Sequence, residues 1–390
     1  MNTPSFKEDH ISQIPALQML INLGYTYIAP TESDRQRGGK HTNVLLDDIL
    51  RSQLRIINAN KHISSSRTTY ISDTNIENGI RALRELPMQE GYVIASEALY
   101  NLITLGKSFD QQVDGEKKSF TLQYIDWQNL ENNVFHVTEE FSVTRTNGKD
   151  QYRPDIVLFV NGIPMCVIEC KRPDMKEPIK QAISQHLRNQ QEDGIKNLYV
   201  FAQIVLSIAT QEGSYATLGT IEKFWAQWKE KFNGNTLAER KSEEDIYRSS
   251  LQTLKNKPLP IETKDKLFSE RFRYVRQYFD AIEAEPILPT AQDEYLYGLC
   301  SPERLLDLVF GFTLYDNGVK KVARYQQYFA IKKSIHRINE TIDGRRKGGV
   351  IWHTQGSGKS LTMVMLAQAI ATEPSIRNPK IILVTDRTDL

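Results

Sequence analysis

Residues 153–171 read RPDIVLFVNGIPMCVIECK, and this stretch limits the fold more tightly than the rest of the chain. Its two apolar runs, 156–160 and 165–168, lack polar alternation, which predicts strands buried on both faces. Asn161-Gly162 between them is a hairpin signal. Charge returns only at the ends, as Asp155, Glu169 and Lys171.

Register decides whether those charges meet. A two-residue Asn161-Gly162 loop pairs Val160 with Ile163 and so Asp155 with Ile168, leaving Glu169 and Lys171 on the opposite face. A three-residue loop over 160–162 pairs Asp155 with Val167, which puts it diagonal to Glu169 and on the face of Lys171. A bulge changes the parity in the same way. If the three charges act together, Asn161-Gly162 is not expected to form a plain two-residue hairpin.

Acting together is chemically sensible. Two carboxylates facing one spot bind Mg²⁺ through oxygen, with water completing the octahedron. The metal polarises a phosphoryl oxygen and lowers the pKa of bound water, which Lys171 can hold or deprotonate. The spelling Pro154-Asp155…Glu169-x-Lys171 matches the PD-(D/E)xK nuclease core, although strand ends are often charged without such a role. Catalytic candidates are therefore Asp155, Glu169 and Lys171, with Asp155 and Glu169 as metal ligands.

Amphipathic helices are predicted near 14–21, before Gly24, over 46–58, and near 75–86 and 96–106. From about 119 the texture turns to strands (119–125 and 133–143), and 177–190 reads as a helix followed by a strand over 197–209. Residues 221–232, IEKFWAQWKEKF, suggest a helix with Trp225 and Trp228 on a packing face. KSEEDIYRSS reads as a polar stretch, and Pro258 and Pro260 mark a linker. Helix-rich sequence follows.

A second chemical signal is GGVIWHTQGSGKSLTMVMLAQAI, residues 348–370. An apolar strand, a glycine turn, Lys-Ser and a helix form a phosphate cradle: backbone N–H groups at the helix start face the phosphate oxygens. Gly356 and Gly358 allow close approach, Lys359 supplies a cation and Ser360 a hydroxyl for Mg²⁺. His353 stands where the strict Walker pattern has glycine. GSGKS preceded by Thr354 and Gln355 is instead the form found in superfamily 2 helicases, with Thr354, Gln355, Gly356, Ser357, Gly358, Lys359 and Ser360 as nucleotide-site candidates. Upstream, ARYQQYFAI resembles a helicase Q motif, with Gln327 as the adenine reader. KIILVTDRTDL predicts a strand ending in polar residues that touch nucleic acid. The Asp-Glu motif that activates water in such motors does not appear, so ATP binding without unaided hydrolysis is expected.

The 390 residues exceed one core, and 40% hydrophobic with 25% charged residues describes an ordinary globular composition. No apolar run is long enough for a membrane span, and no secretory signal is visible. Cys166, Cys170 and Cys300 have neither metal-ligand nor disulfide spacing, which suits a cytoplasmic protein. Net charge of +1 gives no global nucleic-acid signature.

A nuclease core followed by a superfamily 2 motor resembles the restriction (R) subunit of type I restriction-modification enzymes. FTLQYIDWQNLENNVFHVTEEFSV, LGTIEKFWAQWK, SPERLLDLVFGFTLYD and LVTDRTDL, with the motifs above, are similar to that family in its order. The resemblance implies an α/β fold: a PD-(D/E)xK restriction-endonuclease-like domain over 1–257, a helical linker region over 258–320, and over 321–390 a partial RecA-like (P-loop) lobe, cut short within the first motor lobe. It implies an ATP- and Mg²⁺-dependent endonuclease and translocase subunit. Such a subunit cleaves double-stranded DNA away from the recognition site, with methyltransferase (M) and specificity (S) subunits as partners. The family's nuclease helix often carries Gln-x-x-x-Tyr; here Gln185 takes the supporting position and Asn189 stands in place of Tyr. Glu8 is the candidate for an early acidic residue at the metal site. A free-standing repair helicase-nuclease and a non-catalytic DNA-binding or assembly piece are the alternative readings.

Overall fold

The computed structural model describes residues 7–384, apart from 60–61, 65–66, 70, 233, 235, 284 and 355. Its centre is a six-stranded mixed sheet: β1 (Thr26–Tyr27), β2 (Phe135–Glu139), β3 (Ile156–Val160), β4 (Ile163–Lys171), β5 (Ile204–Ala209) and β6 (Glu212–Ala216), in that spatial order. β1 runs parallel to β2, and β4 runs parallel to β5; the other neighbours are antiparallel. Every residue of β3 and β4 except Lys171 and Glu169 is apolar, proline or cysteine, and all are buried, as unalternating runs require.

The hairpin corrects one expectation and meets the other. Asn161 and Gly162 form a plain two-residue turn, with φ of 52° and 83°, the double positive φ that suits right-twisted strands. Val160 pairs with Ile163 and Phe159 with Pro164. The register then slips, so that Leu158 pairs with Cys166, Val157 with Val167 and Ile156 with Ile168. A bulge after Pro164 thus supplies the change of parity. Proline has no N–H to give to a ladder and is tolerated inside sheets at such irregularities. One step past Ile156, Asp155 comes opposite Glu169.

The turn is anchored by its own side chain. Asn161 Oδ1 accepts from Val134 N–H at 2.9 Å, and Nδ2 donates to Tyr124 O at 3.0 Å and to Asn133 Oδ1 at 2.8 Å. Gly162 is required by more than its φ: a Cβ there would lie 2.6 Å from Leu46 O.

A parallel β4–β5 pair needs a crossover, and helices supply it. The first helix of the chain that packs on the sheet side is α1 (Ile14–Asn22); the crossover carries α2 (Pro178–Asn189) and α3 (Lys196–Phe201). α2 lies across β4 and β5. The predicted strand over 197–209 is therefore only half right. A short apolar run does not by itself distinguish strand from buried helix, and here 196–201 coil before β5 begins.

Two further expectations change. Residues 221–232 are not a helix: after a short 3₁₀ turn at Glu222–Phe224 the chain extends, bridging Ala226 to Tyr215. The stretch read as polar is α4 (Leu237–Lys255), opened by a capping box between Thr236 and Glu239. Beyond 258 the chain is helical as expected, with 257–260 irregular, and includes α5 (Ala291–Cys300), which packs on α1. A hairpin, Thr313–Asp316 with Val319–Val322, leads to α6 (Tyr325–Asn339) and finally α7 (Lys359–Thr372). The expected strands at 348–352 and 380–384 are irregular and make no ladder among the described residues, leaving Val350, Trp352 and Val384 exposed. Residues 385–390, where the polar end of KIILVTDRTDL falls, lie outside the described residues. No helix among those described is long and apolar enough to cross a membrane.

Candidate active site

The bulge delivers the charges to one place. Asp155 Oδ2 accepts the backbone N–H of Cys170 at 2.7 Å, which locks the end of β3 to the β4 segment between Glu169 and Lys171. Lys171 Nζ lies 3.6 Å from Asp155 Oδ2 and 3.6 Å from Glu8 Oε1, and donates to Cys170 O at 2.7 Å. Asp155, Glu169 and Lys171 are all buried, Glu169 completely.

Helix α2 holds Glu169 from above. Gln185 Nε2 donates to Glu169 Oε2 at 2.5 Å, and Asn189 Nδ2 donates to Oε1 at 3.3 Å. The two amides are four residues apart, so they share one helix face. Behind them, Tyr199 of α3 stands 3.5 Å from Asn189 Nδ2 and 2.9 Å from His186 Nδ1. His186 Nε2 faces Leu206 O at 3.1 Å, so it donates there and Nδ1 accepts from the tyrosine. Burial holds this imidazole near 3, well below its ordinary value, so it is a neutral strut. A tyrosine hydroxyl does reach the site, but from the next helix.

The opposite flank is Gln13 and Glu140. Gln13 Nε2 donates to Asp155 O at 2.9 Å and to Glu140 Oε1 at 3.4 Å; Glu140 N–H also donates to Asp155 O at 3.1 Å. Gln13, Glu140 and Tyr199 were not named from sequence and had no local signal there; Asn189 was noted only as standing where the resembled family has Tyr.

Crowded carboxylates raise one another. Burial first, then Asp155, pushes Glu169 well above the usual carboxylate range. Glu8 is raised as well, by burial and by Asp155, against the pull of Lys171. Burial alone would lower the Lys171 ammonium, but Asp155, Glu169 and Glu8 outweigh it and hold it above its ordinary value. The cluster is short of positive charge. Among the described residues no three His, Cys, Asp or Glu side chains are already gathered as a metal cage. The available donors are the two facing carboxylates and the Cys170 carbonyl, all oxygen, the set a hard divalent cation takes.

The second set of candidates lies elsewhere. Gly356 and Gly358 both have positive φ, 77° and 80°, and Gly358 caps the start of α7, so Lys359 and Ser360 occupy its first turn, exposed. Ser357 donates from Oγ to Thr354 O at 2.7 Å, closing the loop. Gln327 is buried beside it: Nε2 donates to Gly358 O at 3.1 Å while Oε1 accepts Arg324 N–H at 2.8 Å. Gln355 lies outside the described residues. Between this loop and the β6 edge is a cleft of about 560 Å³, lined by Ile221, Phe224, Arg324, Gln327, Gly356 and Ser357 among others.

Comparison with known proteins gives consistent matches. The profile of the family described as Type I restriction enzyme R protein N terminus matches residues 5–224, and that of the SWI2/SNF2 ATPase matches 326–390. The chain is 27% identical over 98% of its length to the putative type I restriction enzyme MjaIXP endonuclease subunit of Methanocaldococcus jannaschii, covering 33% of that protein. It is 27% identical, again over 98% of its length, to the type I restriction enzyme HindI endonuclease subunit of Haemophilus influenzae, covering 32% of it. To the putative MjaVIIP endonuclease subunit of the former organism it is 30% identical over 70% of its length, covering 22% of that protein. The chain therefore spans about a third of the length of the first two relatives.

Proposed function

The chain belongs to the type I restriction enzyme R protein N-terminus family, and from that premise we propose that it carries the nuclease site and the beginning of the motor of a type I restriction endonuclease subunit. That subunit cleaves double-stranded DNA away from the recognition site, depends on ATP and Mg²⁺, and works with methyltransferase and specificity subunits. Residues 1–257 are the PD-(D/E)xK nuclease domain, 258–320 the helical linker region and 321–390 the first part of a RecA-like lobe. The observation that carries this reading is the bulge-set register that faces Asp155 with Glu169 and leaves Lys171 beside them.

Asp155 and Glu169, with the Cys170 carbonyl, would hold the Mg²⁺, which polarises the scissile phosphate and acidifies water. Gln185 and Asn189 fix both Glu169 oxygens, so the carboxylate keeps its aim while the substrate changes charge. Lys171, kept as an ammonium by its acidic neighbours, orients a water or a phosphate oxygen at the mouth. Glu8 shares that ammonium and adds a further oxygen donor.

At the second site, Gly356, Ser357 and Gly358 would cradle the ATP phosphates at the N-terminus of α7, with Thr354 and Gln355 completing the loop. Lys359 supplies the cation and Ser360 the hydroxyl for Mg²⁺. Gln327 would read the nucleotide once its hydrogen bond to Gly358 O yields.

Calorimetry with Mg²⁺ tests the nuclease reading directly. The unaltered chain should bind Mg²⁺, and Asp155→Asn or Glu169→Gln should remove that binding. Binding that survives both substitutions would sink the reading.

A further inference from the structure

Glu8 and Gln13 reach the acidic cluster from an unusual element. Residues Asp9–Gln13 form a π-helical turn running directly into α1. Such turns are rare and recur at functional sites. Gln13 ends the turn against Asp155 O, and Glu8 precedes it, facing Lys171.

What grips this arm comes from far along the chain. Tyr274 Oη donates to Asp9 Oδ2 at 2.6 Å. The His10 ring stacks on Tyr278 with centroids 5.6 Å apart and meets Tyr274 and the edge of Phe279. Ser12 and Gln292 bond reciprocally: Ser12 Oγ donates to Gln292 Oε1 at 2.7 Å, and Gln292 Nε2 donates to Ser12 O at 3.0 Å. Arg271 Nη1 donates to Gln13 Oε1 at 3.3 Å and ion-pairs with Glu140. Four of the five residues in the turn are thus held by side chains between 271 and 292, a region outside the sheet.

We propose that Arg271, Tyr274 and Gln292 are positioning residues for the nuclease site: by clamping the 8–13 arm they keep Glu8 at Lys171 and Gln13 at Asp155, so that displacement of the helical region beyond 258 weakens Mg²⁺ binding. The proposal rests on the nuclease reading above. Two features favour a detachable clamp over plain packing. Arg271 and Tyr274 are exposed and reach the arm by side-chain tips, Arg271 to Gln13 and Glu140 and Tyr274 to Asp9, whereas the core beneath α1 is apolar and closed. The arm also ends on the two groups that crowd the metal-binding carboxylates, so a small shift of 8–13 changes that cluster without disturbing β3 or β4.

The test is Mg²⁺ calorimetry on the 390-residue chain, with hydrogen exchange on amides 9–13 and thermal melts alongside. Arg271→Ala and Tyr274→Phe should each raise the Mg²⁺ dissociation constant by about tenfold and speed exchange in the arm, with little change in melting temperature. Arg271→Lys should recover most of the affinity. Combining Arg271→Ala with Gln13→Ala should be no worse than Gln13→Ala alone, because Arg271 reaches the site through the Gln13 amide. Unchanged Mg²⁺ affinity in a chain whose arm exchanges faster overturns the proposal, and so do additive losses in the double variant. If Asp155→Asn leaves Mg²⁺ binding intact, the nuclease reading fails and takes the clamp with it.

Discussion

Gln185 donates to one oxygen of Glu169 and Asn189, one helical turn later, donates to the other. A carboxyl group with both oxygens held in this way is aimed before any ligand arrives. Gln185→Ala should lower Mg²⁺ affinity or cleavage by about 10- to 100-fold, as loss of a group behind a metal ligand commonly does. Asn189→Ala, removing the longer bond, should cost less. Equal effects from the two substitutions would show that the difference in geometry does not matter.

Acid should release the metal. Glu169 carries its proton to well above the usual carboxylate range, so Mg²⁺ must displace that proton on binding. Affinity should rise with pH above the usual carboxylate range, and calorimetry in buffers of differing ionisation enthalpy should register a released proton. A flat pH dependence would contradict a protonated Glu169.

Glu139, which ends β2 just before Glu140, offers a stability test. It is buried, bonded by Tyr27 Oη at 2.8 Å, and its Oε2 has no partner. Burial pushes its carboxyl up to about 7 from 4.5. A group raised in this way contributes stability that is fully present below the unfolded value and is lost as pH rises through the folded value. Glu139→Gln should therefore stabilise the chain by on the order of 2 kcal/mol above pH 8 and by little below pH 4.5. Melting curves at the two ends of that window decide it.

The two sites should separate cleanly by substitution. Lys359 is exposed at the start of α7, away from β4. Lys359→Ala should reduce ATP binding by at least about tenfold, the usual effect of losing a cation aimed at phosphate, and leave Mg²⁺ binding at Asp155 and Glu169 unchanged. Fluorescent-nucleotide titration and calorimetry on the same preparation read both.

Sequence carried the central hairpin because its runs have no polar alternation, and only a strand covered on both faces tolerates that. Gln185 came only from the family resemblance, through its Gln-x-x-x-Tyr element, and not from the residues alone. Sequence hid the source of the register, although Pro164, three residues past Asn161, was the available sign: a proline inside a central strand calls for a break in the ladder. Helix α4 was obscure because only Leu251 of its 19 residues is buried, so it has almost no apolar stripe; the cap Thr236-x-x-Glu239 was its readable mark. The apolar stretches at 348–352 and 380–384 looked like strands because composition cannot say whether a ladder partner is present. Gln13, Arg271 and Gln292 were beyond reach, since nothing local joins residues some 260 positions apart.

The slip after Pro164 also has a genetic consequence. Between Gly162 and Val167 the length of the chain matters more than its spelling, because a single residue gained or lost turns Asp155 to the other face of the layer. A screen for in-frame codon changes should find one-codon insertions or deletions there as inactivating as substitution of Asp155 itself. Two-codon changes, which restore the face and shift only the diagonal, should be the ones that leave residual function.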